Sequence, residues 1–191
     1  MLRSLRTASI LFVLLTVLTG IVYPLLITGL AQGLFPQQAS GSLITASSGT
    51  IGSEIIGQPF DDPRYFWGRP SATGSSPYNA MAGSGSNLAT TNPALADAVR
   101  ERIAHLRAAD PSNAAAVPID LVTASASGLD PHISPAAAFY QASRVAKARG
   151  LDETAVRNLI EQQIIGPTWG LFGAARVSVL RLNLALDTMK A

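Results

Sequence analysis

A chain of 191 residues has room for one compact domain and a membrane segment, but not for two ordinary domains as well. Its 14 basic and 12 acidic side chains leave a formal charge of +2, and lysine occurs only at Lys147 and Lys190. The basic tracts that follow a nucleic-acid backbone are therefore absent, and no nucleic-acid partner is expected. With no cysteine and only His105 and His132, neither a disulfide framework nor a thiolate or histidine metal cluster is expected.

The apolar residues are crowded at the N-terminus. From Thr7 to Ser53 there is no charged side chain, and Ile10 to Leu30 reads ILFVLLTVLTGIVYPLLITGL. A bilayer core of about 30 Å needs roughly 20 apolar residues in a helix, so this run predicts a transmembrane helix over 8–34. Pro24 falls inside it and predicts a local disturbance. The run is longer than a secretory signal, and Ala31-Gln32-Gly33 is a poor cleavage sequence, so a retained anchor is expected. Arg3 and Arg6 precede the span and no further basic residue appears before Arg64. The positive-inside rule then puts residues 1–7 in the cytoplasm and everything after the span outside it. Gly29 and Gly33 form a GxxxG pair at the outer end. They either mark a face that docks on a partner's helix or reflect the ordinary glycine content of membrane helices.

Residues 35–56, rich in Ser, Gly, Gln and Thr, predict a linker with at most one strand. Residues 57–191 predict a small α+β domain. Its first part, Gly57 to Asn92, is dense in Gly, Pro, Ser and Asn with isolated rings, which predicts irregular chain packed down by aromatics. Asn92 with Pro93 starts a helix that runs to Asp110, with Leu95, Val99, Ile103 and Leu106 on one face and Asp97, Arg100, Glu101 and Arg107 on a solvated one. Ser134 with Pro135 starts a second, which ends at Gly150. Asp152 caps a third, closed by Gly166-Pro167. RVSVLRLNL, from Arg176 to Leu184, predicts a strand with one break in its alternation.

Chemistry is scarce. There is no Gly-rich phosphate loop ending in Gly-Lys-Ser/Thr and no Asp-Lys-Thr-Gly of an aspartyl-phosphate pump. The segment TASASGLDPHIS (123–134) gathers Ser125, Ser127, Asp130, His132 and Ser134. It is open to a nucleophile triad, but a turn at Asp130-Pro131, a left-handed Gly128 and a cap at Ser134 account for the same residues. Gly68, Arg69, Pro70 and Ser71 are likewise open to two readings. Arg69 either binds an anion or holds its own loop through backbone carbonyls.

Taken together, TGIVYPLLITGLAQ, GSEIIGQPF, YFWGRPSA, SGSNLATTNPAL, SASGLDPHISPAAA, RVAKARGL and RVSVLRLNLALD resemble the C subunit of the bacterial Kdp-type potassium-transporting ATPase, in order and over nearly the whole chain. The resemblance implies a non-catalytic accessory subunit, single-pass in the bacterial inner membrane. Its implied partners are a channel-like potassium-binding subunit and a P-type ATP-hydrolysing subunit. It also implies a catalytic chaperone that raises the ATP affinity of the hydrolysing subunit; ATP, magnesium and potassium are used by the complex, and none is bound by this chain alone. A cap over the potassium-binding subunit's filter and a passive scaffold are the alternative roles. The family-defining positions fall on Gly68, Arg69, Pro70 and Ser71 and on Gly128, Leu129, Asp130, Pro131 and His132; of these Gly68, Arg69, Pro70, Ser71, Gly128, Asp130 and His132, with Ser127, Gly29 and Gly33, are candidates for partner docking.

Overall fold

The computed structural model describes residues 2–46 and 49–189. The chain forms two compact units, Met1–Ile51 and Gly52–Ala191. The first is dominated by a 33-residue helical run, Leu2–Leu34, whose most apolar window has a mean hydropathy of 2.6. It consists of α1 (Leu2–Val17), a π-helical turn (Leu18–Val22) and α2 (Tyr23–Leu34). The π turn is where the proline's disturbance is absorbed. Pro24 has no N–H to offer the Gly20 carbonyl four residues back, and just before it the Tyr23 N–H reaches back five residues to the Leu18 carbonyl. Leu11, Phe12, Leu14, Leu18, Ile21 and Leu25 stand exposed along this run, and an apolar helix with no protein cover suits lipid. The helix is followed by α3 (Pro36–Ala39) and a two-stranded sheet of β1 (Leu43–Ala46) and β2 (Gly49–Ser53). The expectation of at most one strand is thus corrected to a pair. Each is only four or five residues long, too short for alternation to declare itself.

In the second unit the helices start where their caps predict. In α4 (Pro93–Ala109) the Asn92 side chain accepts from the Ala94 N–H. In α5 (Pro135–Arg149) Ser134 accepts from Ala137, and Gly150 ends the helix in the left-handed region at φ 67°. In α6 (Glu153–Gln162) Asp152 accepts from Ala155. This helix ends before the predicted Gly166-Pro167 because Ile164–Ile165 is drawn off as β4. A three-stranded antiparallel sheet has the order β3 (His132–Ile133), β5 (Arg176–Ser178), β4, with Ile133 and Ile164 both opposite Val177.

The predicted strand over 176–184 is corrected too. Only Arg176–Ser178 is extended; Ser178 then caps α7 (Val179–Asp187), accepting from the Arg181 N–H. Val179, Leu182, Asn183 and Leu186 are buried at three- and four-residue spacing, the period of a helix. The break in alternation marks this change of element. The core joins Ala138, Ala142 and Val145 of α5, Val156 and Ile160 of α6, Val177, and Leu182 and Leu186 of α7.

Two buried amides bind the irregular chain to this core. Gln141 of α5 accepts from the Trp67 N–H at 2.8 Å and donates to its carbonyl at 3.1 Å. Asn183 of α7 does the same for Phe66, at 2.8 and 3.0 Å. The side chains supply what a neighbouring strand would, so Phe66 can be fully buried without orphaned backbone groups. Arg144 completes the clamp. It donates to the carbonyl of Tyr65 and to Gln141 and lies 4.0 Å from the Trp67 ring centre; burial lowers its pKa to about 10.

Candidate functional site

The residues singled out in the domain's loops converge on one polar knot made by 57, 68–79 and 123–132. Tyr78 is its centre. The residue has a positive φ of 56°, an unusual conformation for a bulky side chain, and its hydroxyl donates to the Arg69 carbonyl at 2.6 Å. Burial, with the Asp130 charge adding to it, raises the phenol to about 12. Its ring can lie there because Gly57 and Gly68 have no side chains. A methyl on Gly68 would stand 2.7 Å from the Tyr78 hydroxyl, and one on Gly57 would stand 2.8 Å from the Asp130 carbonyl and closer still to the ring.

The serines serve the backbone. Ser71 Oγ donates to the Gly128 carbonyl at 2.7 Å and accepts from the Tyr78 N–H at 2.9 Å. Ser125 accepts from the Gly128 N–H at 2.9 Å, and Ser127 accepts from the Leu129 N–H at 3.2 Å. Gly128 has φ 68°, as the turn reading requires, and a methyl on it would meet the Ser84 carbonyl at 2.6 Å.

Arg69 takes the role of loop clamp. It donates to the Thr123 and Ala124 carbonyls at 3.4 and 3.2 Å and forms an ion pair with Asp130 at 3.1 Å. Asp130 in turn accepts from the His132 N–H at 2.9 Å, closing a turn around Pro131, while His132 Nδ1 stands 3.4 Å from the same carboxylate. Burial pushes the Asp130 carboxyl up, but hydrogen bonds from His132 and Arg69, with the Arg69 charge, outweigh it and hold the pKa below its ordinary value. The Asp130–His132 contact resembles two-thirds of a triad. The serine hydroxyls around it are spent on backbone groups or, for Ser125 and Ser127, also lie 3.5 Å from one another. As it stands the arrangement is a structural knot.

Two surfaces border it. Ile55, Arg69, Ser125, Ser127, Leu129 and Asp130 line a shallow depression of about 570 Å³, which brings three of the docking candidates to one face. On another side a cleft of about 510 Å³ runs between the Gly68–Ser71 stretch with Tyr78 and one face of α4. Asp61, Glu101, Arg69 and Arg102 line it, so its charges are mixed in sign and no concentrated positive field awaits a phosphate. His105 is exposed and stacks on Trp67, with ring centres 5.0 Å apart; composition gave no signal for that pairing. Gly29 and Gly33 lie on α2, in the other unit, with open space around both.

Fold and site together define a class: a small α+β domain that follows, among the described residues, one apolar helix long enough to cross a membrane, with its most reactive-looking groups engaged in holding loops. The chain belongs to the family of the c chain of the K+-transporting ATPase, KdpC, whose sequence profile matches residues 5–188. It is 65% identical to the potassium-transporting ATPase KdpC subunit of Polaromonas naphthalenivorans, over 97% of this chain and 95% of that one. Identity to the KdpC subunit of Variovorax paradoxus is 62%, over 97% and 96%. To that of Sorangium cellulosum it is 59%, over 98% of each. The single N-terminal apolar helix fits a membrane-anchored subunit of a transport ATPase.

Proposed function

We propose that the chain is a non-catalytic accessory subunit of a Kdp-type potassium uptake complex, anchored in the bacterial inner membrane with its domain on the extracytoplasmic side. There it contacts the potassium-binding and ATP-hydrolysing subunits and raises the ATP affinity of the latter. The observation that carries the reading is the knot itself: Arg69, Ser71, Ser127 and Asp130 fix loop shape, and the depression bordered by Arg69, Ser127 and Asp130 presents Ile55 and Leu129 with a polar rim, which suits docking better than bond-making. On this reading no nucleotide or metal is held by this chain alone, and ATP, magnesium and potassium act on the assembled complex.

Arg3 and Arg6 before the span, against none after it until Arg64, support the orientation. Nucleotide is on the opposite side of the membrane from a domain so placed. The effect on ATP affinity therefore passes through subunit contacts, as a coupling free energy between distant sites. Gly29 and Gly33, open to close approach, would seat α2 on a partner's membrane helix.

The test is potassium-stimulated ATP hydrolysis by complexes assembled with and without this chain, over a range of ATP concentrations, with assembly measured separately. The expected result is a higher KM for ATP without the chain and a maximal rate per hydrolysing subunit that persists. Unchanged KM in equally assembled complexes would leave a passive scaffold as the function. An export reporter fused after Ala191 should be active; activity of a cytoplasmic one instead would reverse the orientation.

A further inference from the structure

Between β4 and β5 the chain makes a tight turn whose large side chains stand out from the domain. Trp169 is 88% exposed, Leu171 76% and Phe172 58%, three large apolar residues within four positions. Other strongly exposed apolar residues of the domain, such as Met81 and Ile119, stand singly and call for no explanation. The tip is not slack chain. The Thr168 N–H donates to the Phe172 carbonyl at 2.8 Å and the Phe172 N–H returns to Thr168 at 3.0 Å; Gly170 donates to Pro167 at 3.0 Å and Leu171 to Thr168 at 3.2 Å. Trp169, Gly170 and Gly173 all take positive φ, at 54°, 72° and 83°, which makes the turn this sharp. Trp169 and Phe172 meet edge to face, with ring centres 6.0 Å apart.

We propose that this tip, residues 167–172, is a membrane-interface wedge: Trp169, Leu171 and Phe172 enter the boundary between headgroups and acyl chains of the bilayer that holds the same chain's N-terminal helix. Four observations select lipid as the occupant. The backbone groups of the turn are largely paired with one another, which is the condition for leaving water without a partner strand. An amphipathic Trp beside Leu and Phe is the composition of interfacial anchors. From Gln162 to Leu186 there is no acidic residue, while Arg176 follows the tip, so anionic headgroups meet no repulsion. Finally, the domain is tied covalently to a membrane helix. The proposal rests on the anchoring of the chain by that helix and does not depend on which side the domain occupies.

The test uses the full chain reconstituted in vesicles of phosphatidylcholine and phosphatidylglycerol. Trp67 and Trp169 are the only tryptophans, and Trp67 is buried, so the difference between the wild type and Trp169→Phe isolates one fluorophore. Expected are a blue-shifted Trp169 emission, quenching by lipids brominated near the headgroup, and shielding from aqueous iodide. Circular dichroism should show the variant folded. If the protein floats with the vesicles but Trp169 is quenched by iodide and not by bromolipid, the wedge is wrong while the anchor stands. If the protein does not float, the anchor itself fails. Shielding that appears only when the other subunits of the ATPase are added would overturn the proposal in favour of a protein contact.

Discussion

The knot around Tyr78 and the tip at Trp169 are built with the same backbone device and put it to opposite uses. Each relies on residues at positive φ, including an aromatic one, Tyr78 at 56° and Trp169 at 54°. In the knot the ring turns inward against Gly57 and Gly68, and the polar side chains are consumed by neighbouring carbonyls and amides. At the tip the backbone consumes its own hydrogen bonds and the rings are left outside. Shape in the first case depends on side chains that cannot be exchanged, and in the second on a turn that its side chains decorate. The two regions should therefore respond to mutation very differently.

The largest effect is expected at Gly57→Ala. Its methyl would press on both the Tyr78 ring and the Asp130 carbonyl, and neither is the loose end of a flexible chain. Overpacking of this kind costs about 1–3 kcal/mol, and here two loops must yield at once, so the upper end is expected in chemical denaturation of the detergent-solubilised chain. An unchanged midpoint would mean that the Tyr78 ring is not held between the glycines.

Asp130→Ala comes next. It removes the acceptor of the His132 N–H and leaves Arg69, half-buried, without its ion partner, for an expected loss of about 1–3 kcal/mol. The loss depends on pH in a defined direction. Because the folded carboxyl titrates below its ordinary value of 3.8, its contribution is complete above that value and disappears as pH falls through the lower folded value. The stability gap between wild type and Asp130→Asn should thus narrow only in acid, below about pH 4. Catalytic turnover per assembled complex at saturating ATP and potassium should survive Asp130→Ala. Its abolition in a normally assembled complex would make Asp130 a participant in chemistry.

Tyr78→Phe separates the ring from its hydroxyl. The ring still fills the space between Gly57 and Gly68, so only the 2.6 Å bond to the Arg69 carbonyl is lost, at about 1 kcal/mol. Tyr78→Ala, which also loses the ring, should cost clearly more in the same denaturation experiment.

The contrast also explains which parts were legible in the sequence. Asn92-Pro93, Ser134-Pro135 and Asp152 announce their helices because a cap is a local event, readable from adjacent residues. The left-handed Gly128 was legible for the same reason, as turn chemistry; for Arg69 the clamp stood beside an anion-binding reading, because its partners at Thr123, Ala124 and Asp130 lie more than fifty residues along the chain. Asn183 was not. Within RVSVLRLNL it passes for the outward position of a strand, and only the arrival of Phe66, more than a hundred residues earlier in the chain, gives a buried amide its purpose. Gln141 was hidden in the same way. Strands of two or three residues carry no usable alternation, and so β3 and β4 left no trace. Tyr78 was seen as one ring among several; its role depends on two glycines ten and twenty-one residues away in sequence.

The smallest effect is expected at the tip, and there the comparison is sharpest. Leu171 contacts solvent over most of its surface, so Leu171→Ser removes little buried area and leaves the bonds between Thr168 and Phe172 in place. In chemical denaturation of the detergent-solubilised chain, followed by the near-ultraviolet signal, stability should shift by no more than about 0.5 kcal/mol, the ordinary range for surface changes. A serine there is also compatible with the turn, because φ at 171 is not in the left-handed region. If Leu171→Ser instead unfolded the domain as Gly57→Ala is expected to, the tip would be packed against the core and its exposure would be wrong. A neutral result in stability combined with weaker bromolipid quenching of Trp169 would separate what the side chain does for the fold from what it does at a membrane surface.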